Sequence, residues 1–135
     1  MTDEQHRPEA NHCFVCGPSN PQGLRIVFRM DGDVCRASFR PGEHHVGYHR
    51  IVHGGIVFSV LDDVMANWLY LQGMDAHTAH CEIRYRQPAM LGDELRLEGR
   101  LLKRKGRVAV MQGKAYRVAD DVLLAETEAR FMIVR

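Results

Sequence analysis

One unbroken run constrains this chain more than any other feature: His53-Gly54-Gly55 opens a stretch that reaches Leu71 without a proline or a further glycine, and Gly73 stands just past its end. Glycine after the last periodic residue is a helix stop, so the spacing predicts a helix over 55–71 of about four to five turns. At 100° per residue, Val57, Val60, Leu61, Val64, Met65, Trp68, Leu69 and Leu71 cover more than half the circumference. A helix so apolar belongs inside a fold. Its remaining side is a narrow stripe of small residues, Gly55, Ser59 and Ala66, with Asp62 among them, while Asp63 points about a quarter-turn away beside Asn67. A carboxylate on a buried helix is costly unless something uses it.

On both sides of the helix the period changes to two. Leu24 to Met30 alternates, Asp31-Gly32 is a hairpin turn signal, and Val34 to Arg40 returns with Cys35, Ala37 and Phe39 on one face. A loop rich in glycine and histidine over 41–52 leads into the helix. Beyond it, Thr78 to Gln87, Glu94 to Lys103, Arg107 to Val118 and Val122 to Val134 read as four strands. Their short connections predict an antiparallel meander with one helix against its face, an α+β fold. With 135 residues the chain suits a single domain, taken as 12–135 behind a flexible tail over 1–11.

A net charge of +1 argues against wholesale nucleic-acid binding. Asp62 and Asp63 interrupt the longest apolar run and no apolar leader follows Met1, so neither a membrane span nor a signal peptide is expected and the compartment expected is the cytoplasm. Cysteines there are thiols or metal ligands more often than disulfides. Cys13-x-x-Cys16-Gly17 is half of a zinc site that His6, His12, His44, His45 or His49 could complete. With no second such pair in the chain, the reading adopted is an ordinary turn without metal. Cys35 and Cys81 read as small core residues.

Several features together resemble the phenylacetic-acid-degradation-type acyl-CoA thioesterases of the 4-hydroxybenzoyl-CoA thioesterase superfamily, whose hotdog fold wraps an antiparallel sheet around one long helix. They are Val52-His53-Gly54-Gly55, Leu61-Asp62, Thr78, Tyr85-Arg86-Gln87-Pro88-Ala89, and the basic turn Lys103-Arg104-Lys105-Gly106-Arg107. The segment Cys13 to Gly17, with Asn20-Pro21 and Gly23-Leu24, resembles the lead-in of one bacterial branch. The resemblance implies hydrolysis of an acyl-CoA to a carboxylic acid and free coenzyme A. Asp62 would be the catalytic carboxylate, Gly54 or Gly55 the backbone donor at the helix start, and Thr78 the hydroxyl that places the attacking water. Gly47 and Tyr48 stand where some members carry a side-chain amide. No cofactor is implied beyond the coenzyme A of the substrate.

Physical chemistry suits those roles. Attack on a thioester makes an oxyanion, which N–H groups at a helix start stabilise, and a carboxylate can serve as general base or nucleophile. Gly55 and Asp62 lie seven residues apart, about 10 Å along one helix, whereas groups acting on one carbonyl must come within about 3.5 Å of it. The expectation is therefore a homodimer, or a homotetramer of such dimers, with Gly55, Ser59 and Ala66 near the seam and sites shared between subunits. His53 reads as a loop anchor beside the substrate. Lys103, Arg104, Lys105 and Arg107 form either a solvated hairpin tip or a seat for coenzyme A phosphates. The alternatives are a hotdog dehydratase or hydratase recruiting His49 and Asp63, a non-catalytic acyl-CoA sensor, and a small metal-binding module centred on Cys13 and Cys16.

Overall fold

The computed structural model describes residues 8–135, which form one six-stranded antiparallel sheet around a single long helix, an α+β hotdog arrangement. The strands are β1 (Arg29–Asp31), β2 (Val34–Phe39), β3 (Ala76–Tyr85), β4 (Leu95–Lys105), β5 (Val108–Arg117) and β6 (Val122–Ile133), and α1 spans Gly54–Leu71. Positive φ at Gly32 and Gly106 serves the β1–β2 and β4–β5 turns.

The helix begins one residue before the predicted start. The His53 ring accepts the Gly55 N–H through Nδ1 at 2.8 Å, so His53 is the cap and Gly54 the first helical residue. Val57, Val60, Leu61, Val64, Met65 and Leu69 are buried, and with Phe28, Leu95, Leu97, Met111 and Phe131 they form the core. Along the small stripe Gly55 is exposed, and Ser59, Asp62 and Ala66 are half-buried.

A pair of glycines sets how close the helix lies to the sheet. Gly99 on β4 and Gly113 on β5 are cross-strand partners beneath α1. A Cβ on Gly99 would stand 2.7 Å from the Val64 carbonyl oxygen, and one on Gly113 would stand 2.6 Å from Thr127 Oγ1 and 3.3 Å from the Leu61 carbonyl oxygen. Backbone therefore meets backbone here, on both sides of Asp62 and Asp63.

Two expectations need correction. The strands after the helix are not a four-strand meander: the sheet order is β1-β2-β4-β5-β6-β3. Residues 86–94 carry the chain away from β3, so that β4 pairs with β2 and β3 lies at the far edge against β6. The strand expected over 24–30 also enters the sheet only at Arg29. Its earlier part keeps the alternation, with Ile26 and Phe28 buried, but bonds the cysteine segment instead: Leu24 donates to the Phe14 carbonyl at 2.8 Å and Ile26 to the Val15 carbonyl at 2.9 Å.

Candidate functional site

Asp62 emerges from the half-covered face of α1, and Thr78 on β3 donates its hydroxyl proton to Asp62 Oδ1 at 2.7 Å. The register of β3 against β6 slips between Thr78 and His80, a bulge in the edge strand. The extra residue turns Cys81 to the same side as Thr78. Cys81 is half-buried and packs against the core, and its thiol is pushed up to about 11 by burial and then by the charges of Asp62 and Glu82. Burial raises the Asp62 carboxyl above its ordinary value, while the Thr78 hydroxyl, bonding the ionised form, pulls it back in part. A carboxylate raised in this way is a better proton acceptor than an ordinary one.

The helix start lies beside an apolar cavity of about 340 Å³ lined by Ile51, Val57, Tyr85, Ala89, Leu95 and Leu124, with Gly54 at its wall. Tyr85 Oη donates to the Gly54 carbonyl at 2.8 Å. Gly55 gives its N–H to His53, and the Ile56 and Val57 N–H groups bond the His53 carbonyl. Gly54 N–H has no acceptor among the described residues and sits at the positive end of the helix dipole. Ser59 turns its hydroxyl back onto the Gly55 carbonyl at 2.8 Å.

Other sequence-derived candidates lie elsewhere. The basic turn is the tip of the β4–β5 hairpin, near the other end of α1: Arg104 reaches Met74 Sδ at 3.2 Å, just past Gly73. Lys103, Arg104 and Lys105 are exposed, as is Arg107, and none of the four pairs with a carboxylate among the described residues. Within one chain the turn and Gly54 are thus at opposite ends of the helix. Asp63 faces away from Thr78 and accepts the Asn67 amide at 3.1 Å, as its phasing predicts. Burial first, then Asp63, pushes the Cys35 thiol up to about 12. His44 and His45 sit near His53, His45 Nδ1 accepting the Gly42 N–H, and neither approaches the cysteines; His6 lies outside the described residues. No described helix is long and apolar enough to cross a membrane.

Sequence reasoning missed Tyr85 as a partner of Gly54, and it missed the cavity. Both depend on residues 85–89 folding over the helix start, for which the aromatic-to-proline run Tyr85 to Pro88 was the available signal.

Comparison with known proteins bears on this geometry. Curated relatives include the 3-hydroxyacyl-(acyl-carrier-protein) dehydratase FabZ of Campylobacter concisus, 47% identical over 51 residues, which are 38% of this chain and 33% of that protein. The chain spans about a third of the length of the first such relatives. Among solved structures, a thioesterase superfamily protein superposes with a TM-score of 0.84 at 27% identity, covering 90% of this chain and 60% of the other. The Escherichia coli PaaI protein from the phenylacetic acid degradation operon gives 0.77 at 20%, covering 83% and 81%. A hypothetical thioesterase from Streptococcus pneumoniae TIGR4, solved with coenzyme A, gives 0.74 at 17%, covering 78% and 85%. The family model of the thioesterase superfamily matches residues 49–124, from the loop before the helix through β5 and into β6. A match over more than half of the chain, on the elements that carry Gly54, Asp62 and Thr78, makes this protein a member of the thioesterase superfamily.

Proposed function

We propose that this protein is an acyl-CoA thioesterase in which Asp62, as general base or nucleophile, and the Gly54/Gly55 amides at the start of α1 act on the thioester. The observation that carries the reading is Asp62, raised by burial and aimed by the Thr78 hydroxyl, on the same helix whose first N–H opens beside an apolar cavity. In the general-base form, Asp62 takes a proton from water as that water adds to the carbonyl carbon. The oxyanion forms against the Gly54 N–H, and its collapse expels the coenzyme A thiolate, which takes up a proton. The cavity holds the acyl group. The coenzyme A bound by the Streptococcus pneumoniae protein supports the ligand class. That protein was also solved with an aspartate and a threonine sixteen positions apart each changed to alanine, the separation of Asp62 and Thr78.

The proposed assembly is a homodimer, alone or paired as a tetramer, with each site drawing Gly54 from one subunit and Asp62 from the other. Two observations support it. β3 is a ten-residue sheet edge with mostly exposed side chains, a surface that isolated domains rarely leave unpaired. The small stripe of α1 is incompletely covered within one chain, with Gly55 exposed and Ser59 and Ala66 half-buried. Antiparallel helices across a two-fold axis would also set the partner's basic hairpin tip near Gly54, within reach of coenzyme A phosphates. His53 and Ser59 would then flank the bound substrate. The proposed compartment is the cytoplasm, in keeping with four cysteines outside any disulfide.

The short FabZ match favours a second reading, a dehydratase or hydratase. It asks His49 and Asp63 to work together, but Asp63 faces the cysteine segment. Thiol release from short, long and aromatic acyl-CoAs, run beside hydration of an enoyl-CoA, tests both. Thiol release abolished by Asp62→Ala supports the thioesterase. Hydration without thiol release establishes the second reading, and binding without turnover establishes a sensor.

A further inference from the structure

The cysteine knuckle, which the proposed reaction does not use, meets the face of α1 opposite to its chemistry. Cys13 Sγ, Cys16 Sγ and an Asp63 carboxylate oxygen all lie within 4.8 Å of one another. Ligands of a tetrahedral zinc ion, with Zn–S near 2.3 Å and Zn–O near 2.1 Å, stand about 3.5–3.8 Å apart. Small side-chain rotations close the difference. From the geometry we infer that Cys13, Cys16 and Asp63 bind a zinc ion, which fastens the N-terminal segment to the central helix.

The backbone is built for such a site on both sides. Gly17 donates to the Cys13 carbonyl at 2.9 Å and Cys13 to the Ala10 carbonyl at 3.0 Å, a turn that brings the two sulfurs to one side. A Cβ at Gly17 would stand 2.4 Å from Cys13 N and 2.5 Å from the Asn11 carbonyl oxygen, so only glycine allows this turn. Backbone bonds from Leu24 and Ile26 then hold the knuckle against the chain entering β1. On the helix side, Asn67 is fully buried and donates its amide to Asp63 Oδ2 at 3.1 Å and to the Asp63 carbonyl at 2.8 Å. A hydrogen bond to a ligating carboxylate is how outer partners orient metal ligands.

Donor chemistry selects the ion. Two thiolates with one carboxylate suit zinc and exclude magnesium and calcium, which take oxygen ligands. Binding releases both thiol protons to solvent, and water fills the fourth position. Among the described residues, His12, His44, His45 and His49 have no part in the cluster. The carboxylate that replaces them comes from 47 residues beyond Cys16, on another element, so spacing could not show it.

The test is metal content of the untagged full chain, produced with zinc and dialysed, together with cobalt substitution. The expected result is about one zinc per chain and a thiolate-to-cobalt charge-transfer band in the near ultraviolet. Both are lost in Cys13→Ser, whose position is half-exposed, and weakened in Asp63→Asn, with circular dichroism confirming a folded chain. Wild-type protein without zinc and without the cobalt band overturns the site, and so does a Cys13–Cys16 disulfide in protein handled with zinc. The wild-type spectrum decides the matter even if no variant folds, and neither readout depends on thioester turnover.

Discussion

Thr78 on the edge strand β3 holds Asp62 on the central helix through one hydroxyl-to-carboxylate bond of 2.7 Å. Burial and this bond act on the carboxyl in opposite directions, burial raising it and the hydroxyl lowering it. Thr78→Val removes only the lowering influence. A base must be ionised to act, so the acidic limb of the kcat/KM profile is expected to move to higher pH in the variant. A limb that does not move while activity falls would make Thr78 a water-placing group that leaves Asp62 unperturbed.

Asp62→Asn should separate stability from activity. A carboxyl raised in the folded protein is favoured in its neutral form, so it contributes stability below its unfolded value, near 3.9, and loses it as pH rises through the folded value. The neutral amide avoids that loss. Asp62→Asn is therefore expected to be more stable than wild type at pH 8 and to show no advantage near pH 3, while thioester hydrolysis falls by about 10²–10⁴. Thermal unfolding at the two pH values and thiol release check the two halves.

Gly99→Ala should cost more than Gly113→Ala. The new methyl at Gly99 meets the Val64 carbonyl at 2.7 Å, and backbone cannot rotate aside, whereas the nearest obstacle at Gly113 is the Thr127 side chain. Overpacking of this kind costs about 1–3 kcal/mol, and the helix can relieve it only by lifting off β4. A drop in melting temperature of several degrees is expected for Gly99→Ala, with reduced turnover because Asp62 moves away from Thr78.

The helix was legible because its apolar period and the Gly73 stop agree. Its start was misjudged by one residue because the His53 ring caps it, a contact that no periodicity records. Strand alternation showed where β-structure lies but not which strands pair. β3 reads like its neighbours, yet its place beside β6 is settled by tertiary packing and the crossing at 86–94. The bulge after Thr78 was equally hidden from the alternation: it brings Cys81 to the same side as Thr78, where the half-buried thiol packs against the core. Asp62, Asp63 and Asn67 were placed correctly around the helix by simple phasing. What faces each of them comes from distant parts of the chain.

Shared sites can be tested by complementation, using one variant that lacks the amide donor and one that lacks the carboxylate. Gly54 is the first helical residue, where proline is well tolerated, and His53 before it is extended with ψ 131°, the conformation proline favours in its neighbour. Gly54→Pro therefore deletes the N–H while keeping the helix. Gly54→Pro and Asp62→Ala should each be inactive as homodimers. In a mixed dimer with composite sites, one site carries both defects and the other carries neither. Equal random mixing makes about half of the dimers mixed, each with one working site, so activity should return to about a quarter of wild type. Sites contained within one chain would each keep one defect, and mixing would restore nothing. Thiol release from the mixture, with subunit exchange verified by mass spectrometry, distinguishes the two arrangements. Restored activity would also identify the Gly54 amide as a working donor, because a merely structural glycine would give an active Gly54→Pro homodimer.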